Sequence, residues 1–135
     1  MEPKAIVDKM MADDQMSQWL GISILDYSIG NVVCEMTVRE EMVNGFYIAH
    51  GGITYSLADS ALAFSVNAHG IQSVSVETSI SHLKPVRAGD VLKTATKEIS
   101  LTSKIGVLMT EVYNQDKVLV AAFKGTVYRT GKEWV

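Results

Sequence analysis

The sequence predicts an α+β domain in which an antiparallel sheet wraps around one buried helix. Residues 50–66 are small or apolar at nearly every position, which is typical of a helix that is buried on all sides. After Gly70 the chain consists of long segments of alternating character joined by short turns, as in an antiparallel sheet. A length of 135 residues suits a single core, so we expect one domain spanning residues 1–135.

The segment before the central helix is predicted to hold one short helix and two strands. Apolar side chains recur at roughly helical spacing near the N-terminus, at Ile6, Val7, Met10, Met11 and Met16. Alternation over residues 22–27 then predicts a strand, and Gly30-Asn31 predicts the turn into a second strand over residues 32–38. Residues 40–49 lose the pattern and are expected to form a loop around Asn44-Gly45.

The segment after the helix is predicted to form four further strands. In the first of these, apolar side chains and Thr78 lie on one side, while serines and Glu77 lie on the other. A turn over residues 84–90 separates it from three long strands with tight connections, which favours an antiparallel meander. The predicted ranges are 73–83, 91–100, 105–113 and 117–128.

Composition and charge exclude several classes of protein. With a net charge of −3, the chain lacks the excess of basic residues that a nucleic-acid-binding protein needs. It has no apolar run of the ~20 residues that span a bilayer, and its first residues are unlike a signal peptide. We therefore expect a soluble, cytoplasmic protein that contacts neither nucleic acid nor membrane.

The single cysteine and the three histidines predict no metal site and no disulfide. Cys34 takes an apolar-side position in the second strand, so we expect an inert thiol in the core. His50, His69 and His82 are too far apart in the sequence to show metal-ligand spacing.

Asp59 is the only charged residue in the apolar helix. No cationic side chain lies three or four residues away from it, and an unpaired buried carboxylate costs several kcal/mol. Such a carboxylate has a raised pKa, which suits a general base or a nucleophile. Two structural alternatives remain: hydroxyls or backbone amides from elsewhere bind it, or it faces solvent.

His50-Gly51-Gly52 opens the same helix, where the first backbone N–H groups have no partner within the helix. Glycine lets a substrate oxygen approach these amides, so the helix start suits the oxyanion formed when a thioester or ester carbonyl is attacked. The alternative is that the glycines only provide the turn geometry of a helix start.

The distance between these two features has a consequence for assembly. Gly51 and Asp59 are eight residues apart, so along one helix they are separated by ~12 Å and about 80° of rotation. One reacting carbonyl cannot meet both. If both act on the same bond, they come from different chains, and the protein is at least a dimer.

These residues resemble a known family. The pattern Asn44-Gly-x4-His50-Gly-Gly-x6-Asp59, with the later Lys84-Pro85-x3-Gly89-Asp90 turn, is similar to the hotdog-fold acyl-CoA thioesterases, in particular the phenylacetate-degradation branch. The resemblance covers nearly the whole chain. It implies a curved sheet around the helix, a homodimer with one continuous sheet and active sites at its interface, and often pairing into a homotetramer.

The resemblance also implies roles for individual residues. Asn44, His50 and Gly51 of one subunit would position and polarise the thioester carbonyl, with the Gly51 amide as oxyanion donor. Asp59 of the partner subunit would activate water or attack directly. Ser75 matches a position where a related branch places a hydroxyl that orients the water.

The substrate implied by the resemblance is a small or aromatic acyl-CoA, hydrolysed without a cofactor or metal, with coenzyme A present only as part of the substrate. Residues expected to line the acyl pocket or contact the substrate are Gly52, Phe46, Tyr47, Tyr55 and Leu62, although the aromatics also suit core packing. Candidates for holding the coenzyme A phosphates are Lys84, Arg87, Lys104 and Lys124.

Alternative functions remain on the sequence alone. A non-catalytic acyl-CoA sensor would use the same pocket, and a thioesterase could act on an acyl carrier protein instead. A hotdog hydratase would need a histidine placed differently relative to Asp59. A serine-triad hydrolase is disfavoured because no G-x-S-x-G motif occurs.

Overall fold

The computed structural model describes all 135 residues as one six-stranded antiparallel sheet with a long central helix against one face. The strand order is β1-β2-β4-β5-β6-β3. The predicted α+β architecture and the β4-β5-β6 meander are therefore confirmed. The elements are α1 (Pro3–Asp13), α2 (Gln15–Leu20), β1 (Ser23–Ser28), β2 (Asn31–Thr37), a short 3-10 helix (Glu40–Met42), α3 (Gly51–Asn67), β3 (Ile71–His82), β4 (Val91–Leu101), β5 (Ile105–Tyr113) and β6 (Leu119–Glu133).

The core lies between α3 and the sheet. Leu57, Leu62 and Phe64 of α3 are fully buried and belong to one cluster with Phe123 of β6. The helix approaches β6 closely at Gly125, where an added Cβ would lie 2.9 Å from Leu62 Cδ1. A side chain at this position would force Leu62, which is fully buried, to shift within the packed core.

One face of α3 is not buried, contrary to the expectation of a helix apolar and buried on all sides. A stripe of partly or fully exposed residues recurs every three or four positions, at Gly52, Tyr55, Ser56, Asp59 and Ala63. The sequence did not reveal this exposed face because small residues such as Ala63 are found both in cores and at surfaces. We call this set the open stripe of α3.

The N-terminal segment forms two helices rather than the single one predicted. Asp14 has non-helical backbone angles (φ −94°, ψ 85°) and caps α2, accepting hydrogen bonds from Ser17 N at 2.9 Å and Ser17 Oγ at 2.6 Å. Asp is a favoured N-cap residue because its carboxylate satisfies free amides of the first turn. The Ser17 hydroxyl also contacts Ser60 Oγ of α3 at 2.8 Å, which ties α2 to the central helix.

Strand β3 lies at an edge of the sheet and pairs only with β6. Its predicted alternation is interrupted by an irregularity in register between Ser75 and Glu77. Val74 and Val76 are 56% and 62% exposed, so part of the side predicted to be apolar faces solvent in the single chain. A long strand with one unpaired edge and exposed valines is suited to pairing with another strand.

No helix in this chain has the length and apolar character needed to cross a bilayer.

Cys34 occupies the core position that the sequence predicts. It is completely buried, and burial raises the pKa of its thiol to about 12. We expect an aromatic disulfide reagent at mildly alkaline pH to leave native Cys34 unmodified, because neither access nor thiolate is available. One thiol should react once the protein is unfolded in guanidinium. Rapid modification of the native protein would contradict the buried position.

Candidate active site

Two of the three residues predicted to polarise the carbonyl, Asn44 and Gly51, line a cavity beside the start of α3, whereas the exposed His50 does not. The cavity has a volume of about 260 Å³ and contains Gly51 and Asn44 in its wall. The other lining residues come from the loop before α3, from α3 itself, from the segment around the end of β3, and from the start of β6: Ile48, Ala49, Thr54, His82, Lys84, Pro85, Val86 and Val120.

A second cavity of about 520 Å³ is larger but contains none of the predicted site residues. It lies on the sheet face opposite α3, between Glu35, Lys93, Tyr113 and Lys117. We assign the chemistry to the smaller cavity, because only that one includes the start of a helix with a free amide.

The start of α3 leaves one backbone donor unused. His50 caps the helix: its Nδ1 accepts a hydrogen bond from Gly52 N at 3.2 Å, and its carbonyl accepts one from Ile53 N at 2.9 Å. The Gly51 N–H has no acceptor within the chain. Because His50 Nδ1 acts as an acceptor, the neutral imidazole carries its proton on Nε2. The helix start thus presents Gly51 N–H and His50 Nε2–H as free donors.

Asn44 shapes the loop that leads into this helix. Its side-chain Oδ1 accepts a hydrogen bond from Phe46 N at 2.9 Å, and its backbone N–H donates to Ile48 O at 2.8 Å. These bonds hold a tight turn in which Tyr47 has a positive φ of 61°. The side-chain Nδ2 of Asn44 is left without a partner and is available to a ligand in the cavity.

Phe46 and Tyr47 do not line the cavity in the single chain. They lie at the tip of the Asn44 turn with 82% and 79% of their surface exposed. A pair of neighbouring aromatics exposed to this degree is unusual for a monomer, and is suited to burial against a ligand or another subunit.

Asp59 lies on the open stripe of α3, about two turns beyond Gly51. It is half-buried, and its carboxylate has no hydrogen-bond or ion-pair partner in the chain. Burial raises the pKa of this carboxyl above its ordinary value, and the negative charge of Asp14 raises it further. Asp59 is absent from the cavity wall at Gly51, as the eight-residue separation predicts for one chain.

The remaining predicted residues are divided between the surface and the core. Ser75 is exposed on β3, and Gly52 is exposed in the first turn of α3. Tyr55 hydrogen-bonds through its hydroxyl to Thr78 and packs edge-on against Phe123, with ring centroids 5.1 Å apart. Leu62 is fully buried in the core and does not line this cavity, so its place in the acyl pocket stays a prediction.

Of the four cations proposed for the coenzyme A phosphates, only Lys84 lines the cavity. Arg87 is exposed in the following turn, where its backbone N–H donates to Asp90 Oδ2 at 2.8 Å. Lys104 is exposed in the turn between β4 and β5, and Lys124 is exposed on β6. None of the four forms an ion pair within the chain.

His82, for which the sequence predicts no role, lies in the cavity wall. It is the last residue of β3, and its Nδ1 lies 3.4 Å from Thr54 Oγ1 of α3. The signal was present in the alternation of this strand. Thr78 and Ile80 face α3, so a residue two positions further along lies on the same side.

Comparison with known proteins identifies the family of this chain. The family model described as thioesterase superfamily matches residues 46–121, more than half of the chain. A putative esterase of Archaeoglobus fulgidus is 36% identical over 96% of this chain and 84% of its own length. Acyl-coenzyme A thioesterase PaaI of Escherichia coli is 39% identical over 90% of this chain and 87% of its own.

Solved structures give the same result. The E. coli PaaI protein from the phenylacetic acid degradation operon superposes with a TM-score of 0.94, covering 97% of this chain and 95% of that one at 34% identity. A hypothetical thioesterase from Streptococcus pneumoniae, solved with coenzyme A, superposes with a TM-score of 0.80 over 84% and 88% of the two chains at 26% identity. In both fold and sequence, this chain belongs to the thioesterase superfamily and is a PaaI-like hotdog thioesterase.

Proposed function

We propose that this acyl-CoA thioesterase hydrolyses a small or aromatic, phenylacetyl-like acyl-CoA to the free acid and coenzyme A, at sites shared by two subunits. The observation that carries the proposal is the separation of the two reactive features on α3. The Gly51 amide is unpaired in a cavity, while the unpartnered Asp59 carboxylate faces outward two turns away.

The cavity at the start of α3 supplies electrostatic stabilisation of the carbonyl. The thioester oxygen would accept a hydrogen bond from Gly51 N–H, at the positive end of the α3 dipole. Asn44 and His50 would hold and polarise the same carbonyl, because Asn44 Nδ2 and His50 Nε2 remain free to donate. As the carbonyl carbon becomes tetrahedral, the oxygen gains negative charge, and these donors bind it more strongly than the ground state.

Asp59 supplies the base or the nucleophile. As a base, it takes a proton from water while the water oxygen attacks the carbonyl carbon. Collapse of the tetrahedral intermediate then breaks the C–S bond and releases coenzyme A as a thiol after protonation. As a nucleophile, its oxygen would attack the carbonyl carbon, the C–S bond would break to release the coenzyme A thiolate, and water would then hydrolyse the resulting acyl anhydride to the acid and free Asp59. A raised pKa makes the carboxylate a stronger base in either role.

A dimer that brings the two features together would use the unpaired edge of β3. Pairing of two β3 edges would extend the sheet across both subunits and cover Val74 and Val76. The open stripe of α3 would then face the partner, which places Asp59 of one chain near Gly51 of the other. Ser75, exposed on β3, would lie at this interface and orient the water. Two such dimers would form the homotetramer.

Substrate selection would depend on the exposed aromatics and on cations at the cavity rim. Phe46 and Tyr47 are free to stack on an aryl group. Tyr55, on the open stripe, would contribute a further aromatic wall. Lys84 and Arg87 would bind the phosphates of coenzyme A, since neither is neutralised by a carboxylate within the chain.

Replacement of Asp59 by asparagine tests the catalytic carboxylate. We expect Asp59→Asn to lower kcat for phenylacetyl-CoA by about a hundred- to ten-thousand-fold, because the amide cannot accept the proton from water. Free-thiol release measures turnover across short-chain, long-chain, phenylacetyl and hydroxybenzoyl esters. The fold should be at least as stable as the wild type at neutral pH, because a carboxyl with a raised folded-state pKa costs stability when ionised.

Asp13→Asn is a matched control, since Asp13 is exposed and has no partner in the chain. It should retain full turnover. An active Asp59→Asn enzyme would remove Asp59 from the mechanism.

The pH dependence of catalysis should report the pKa of Asp59. Activity requires the ionised carboxylate, so kcat/KM should fall as pH drops through the raised pKa. Asp14→Asn removes the neighbouring negative charge but keeps a favoured capping residue for α2. The pKa of Asp59 then decreases, so the acid limb of the profile should move to lower pH. An unmoved acid limb in Asp14→Asn would show that Asp14 does not influence Asp59.

Mixed dimers test the shared site. Gly51→Pro removes the oxyanion donor at the first helical position, where the proline backbone is tolerated, and its Cβ would also displace the neighbouring His82 ring of the same cavity. If Gly51 and Asp59 act across the interface, a mixture of Gly51→Pro and Asp59→Asn chains has one intact site per mixed dimer. Random exchange should restore about a quarter of wild-type turnover. No recovery, with exchange verified by mass spectrometry of tagged chains, would place both residues in one subunit's site.

A further inference from the structure

His82 ends strand β3 with its imidazole against the first turn of α3. Nε2 lies 3.1 Å from the position that a Cβ on Gly51 would occupy, and Nδ1 lies 3.4 Å from Thr54 Oγ1. The ring therefore fills the space left by the missing side chain of Gly51. This puts Nε2 beside the residue whose amide is unpaired in the cavity.

The surroundings of His82 favour negative charge in a ligand. Nε2 has no hydrogen-bond partner within the chain, whereas Nδ1 has Thr54. Lys84 is the only other ionisable side chain in the cavity wall, and no carboxylate lines it. Gly51 N–H and Asn44 Nδ2 add two hydrogen-bond donors to the cavity wall.

We infer that His82 Nε2 donates a hydrogen bond to the thioester carbonyl oxygen alongside the Gly51 amide, and so is a further catalytic residue of this enzyme. The inference rests on the proposed function, which places the carbonyl at Gly51. During attack, the π electrons of the C=O bond move to the oxygen, and His82 stabilises that charge without giving up its proton. When the C–S bond breaks, the electrons return to form the carbonyl of the acid.

Thr54 positions the imidazole for this task. It is only 3% exposed, and its single hydroxyl proton has two possible acceptors, Gly51 O at 3.2 Å and His82 Nδ1 at 3.4 Å. Donation to Nδ1 leaves the neutral ring with its proton on Nε2, and an imidazolium carries a proton there as well. An oxyanion near Nε2 favours both of these states over the tautomer that lacks this proton.

The test compares steady-state kinetics of His82→Phe and His82→Gln with those of the wild type. We expect His82→Phe to lower kcat by about a hundred- to a thousand-fold, the typical loss for one oxyanion donor, with little change in KM. His82→Gln should recover part of this loss because its amide can donate. Thr54→Val leaves the His82 imidazole in place but removes the hydroxyl that restrains it. This variant should therefore lower kcat by less than His82→Phe does.

His69→Gln is the control, because His69 lies at the opposite end of α3, where it contacts Glu98. It should leave kcat unchanged. Free coenzyme A lacks the thioester carbonyl to which His82 would donate. Its affinity for the His82→Phe variant, measured by calorimetry, should therefore equal its affinity for the wild type. A loss of coenzyme A affinity would instead make His82 a coenzyme-binding residue and overturn the inference.

The two levels of the proposal fail separately. If His82→Phe retains wild-type kcat while Asp59→Asn is inactive, the His82 assignment is wrong and the proposed function stands. If the wild type releases thiol from none of the small or aromatic acyl-CoA esters, the proposed function is wrong whatever His82 does. Circular dichroism and oligomeric state, compared across all variants, separate loss of a donor from loss of the fold.

Discussion

The close approach of α3 to β6 determines where the reactive groups of that helix lie. Leu62 packs onto the backbone at Gly125, and this contact fixes both the height of the helix above the sheet and its rotation about its own axis. With one face of α3 buried, Asp59 lies on the opposite face. The first turn of α3 lies beside the cavity next to the end of β3. A helix held less tightly would position neither the Gly51 amide nor the carboxylate with the precision that catalysis requires.

The donors and the carboxylate are kept apart for an electrostatic reason. An ionised carboxylate beside the Gly51 amide would compete with the substrate oxygen for the same hydrogen bond and for the positive end of the helix dipole. Two turns of α3 prevent this within one chain. In the proposed dimer, the carboxylate of one subunit would reach the carbonyl bound by the other only after the two subunits assemble.

The N-terminal helices take part in this electrostatic arrangement. The bond from Ser17 to Ser60 docks α2 on α3 one residue from Asp59, and the same contact brings the capping carboxylate of Asp14 close enough to raise the pKa of Asp59. One side chain thus begins a helix and influences the ionisation of a residue in the candidate site. At the other side of the site, His82 links the end of β3 to the start of α3 through Thr54.

The sequence by itself determined the elements whose patterns are local. Periodicity located α3, the meander and the buried Cys34, and the short stretch from Asn44 to Gly51 brought its polar groups together because they are neighbours along the chain. The tertiary structure decided what depends on long-range pairing. It placed β3 at an edge next to β6, brought His82 to Gly51, buried Leu62, and left Phe46 and Tyr47 in solvent. These features could not be read from the sequence, because a side chain's neighbours across the sheet depend on which strands pair and not on its own local pattern.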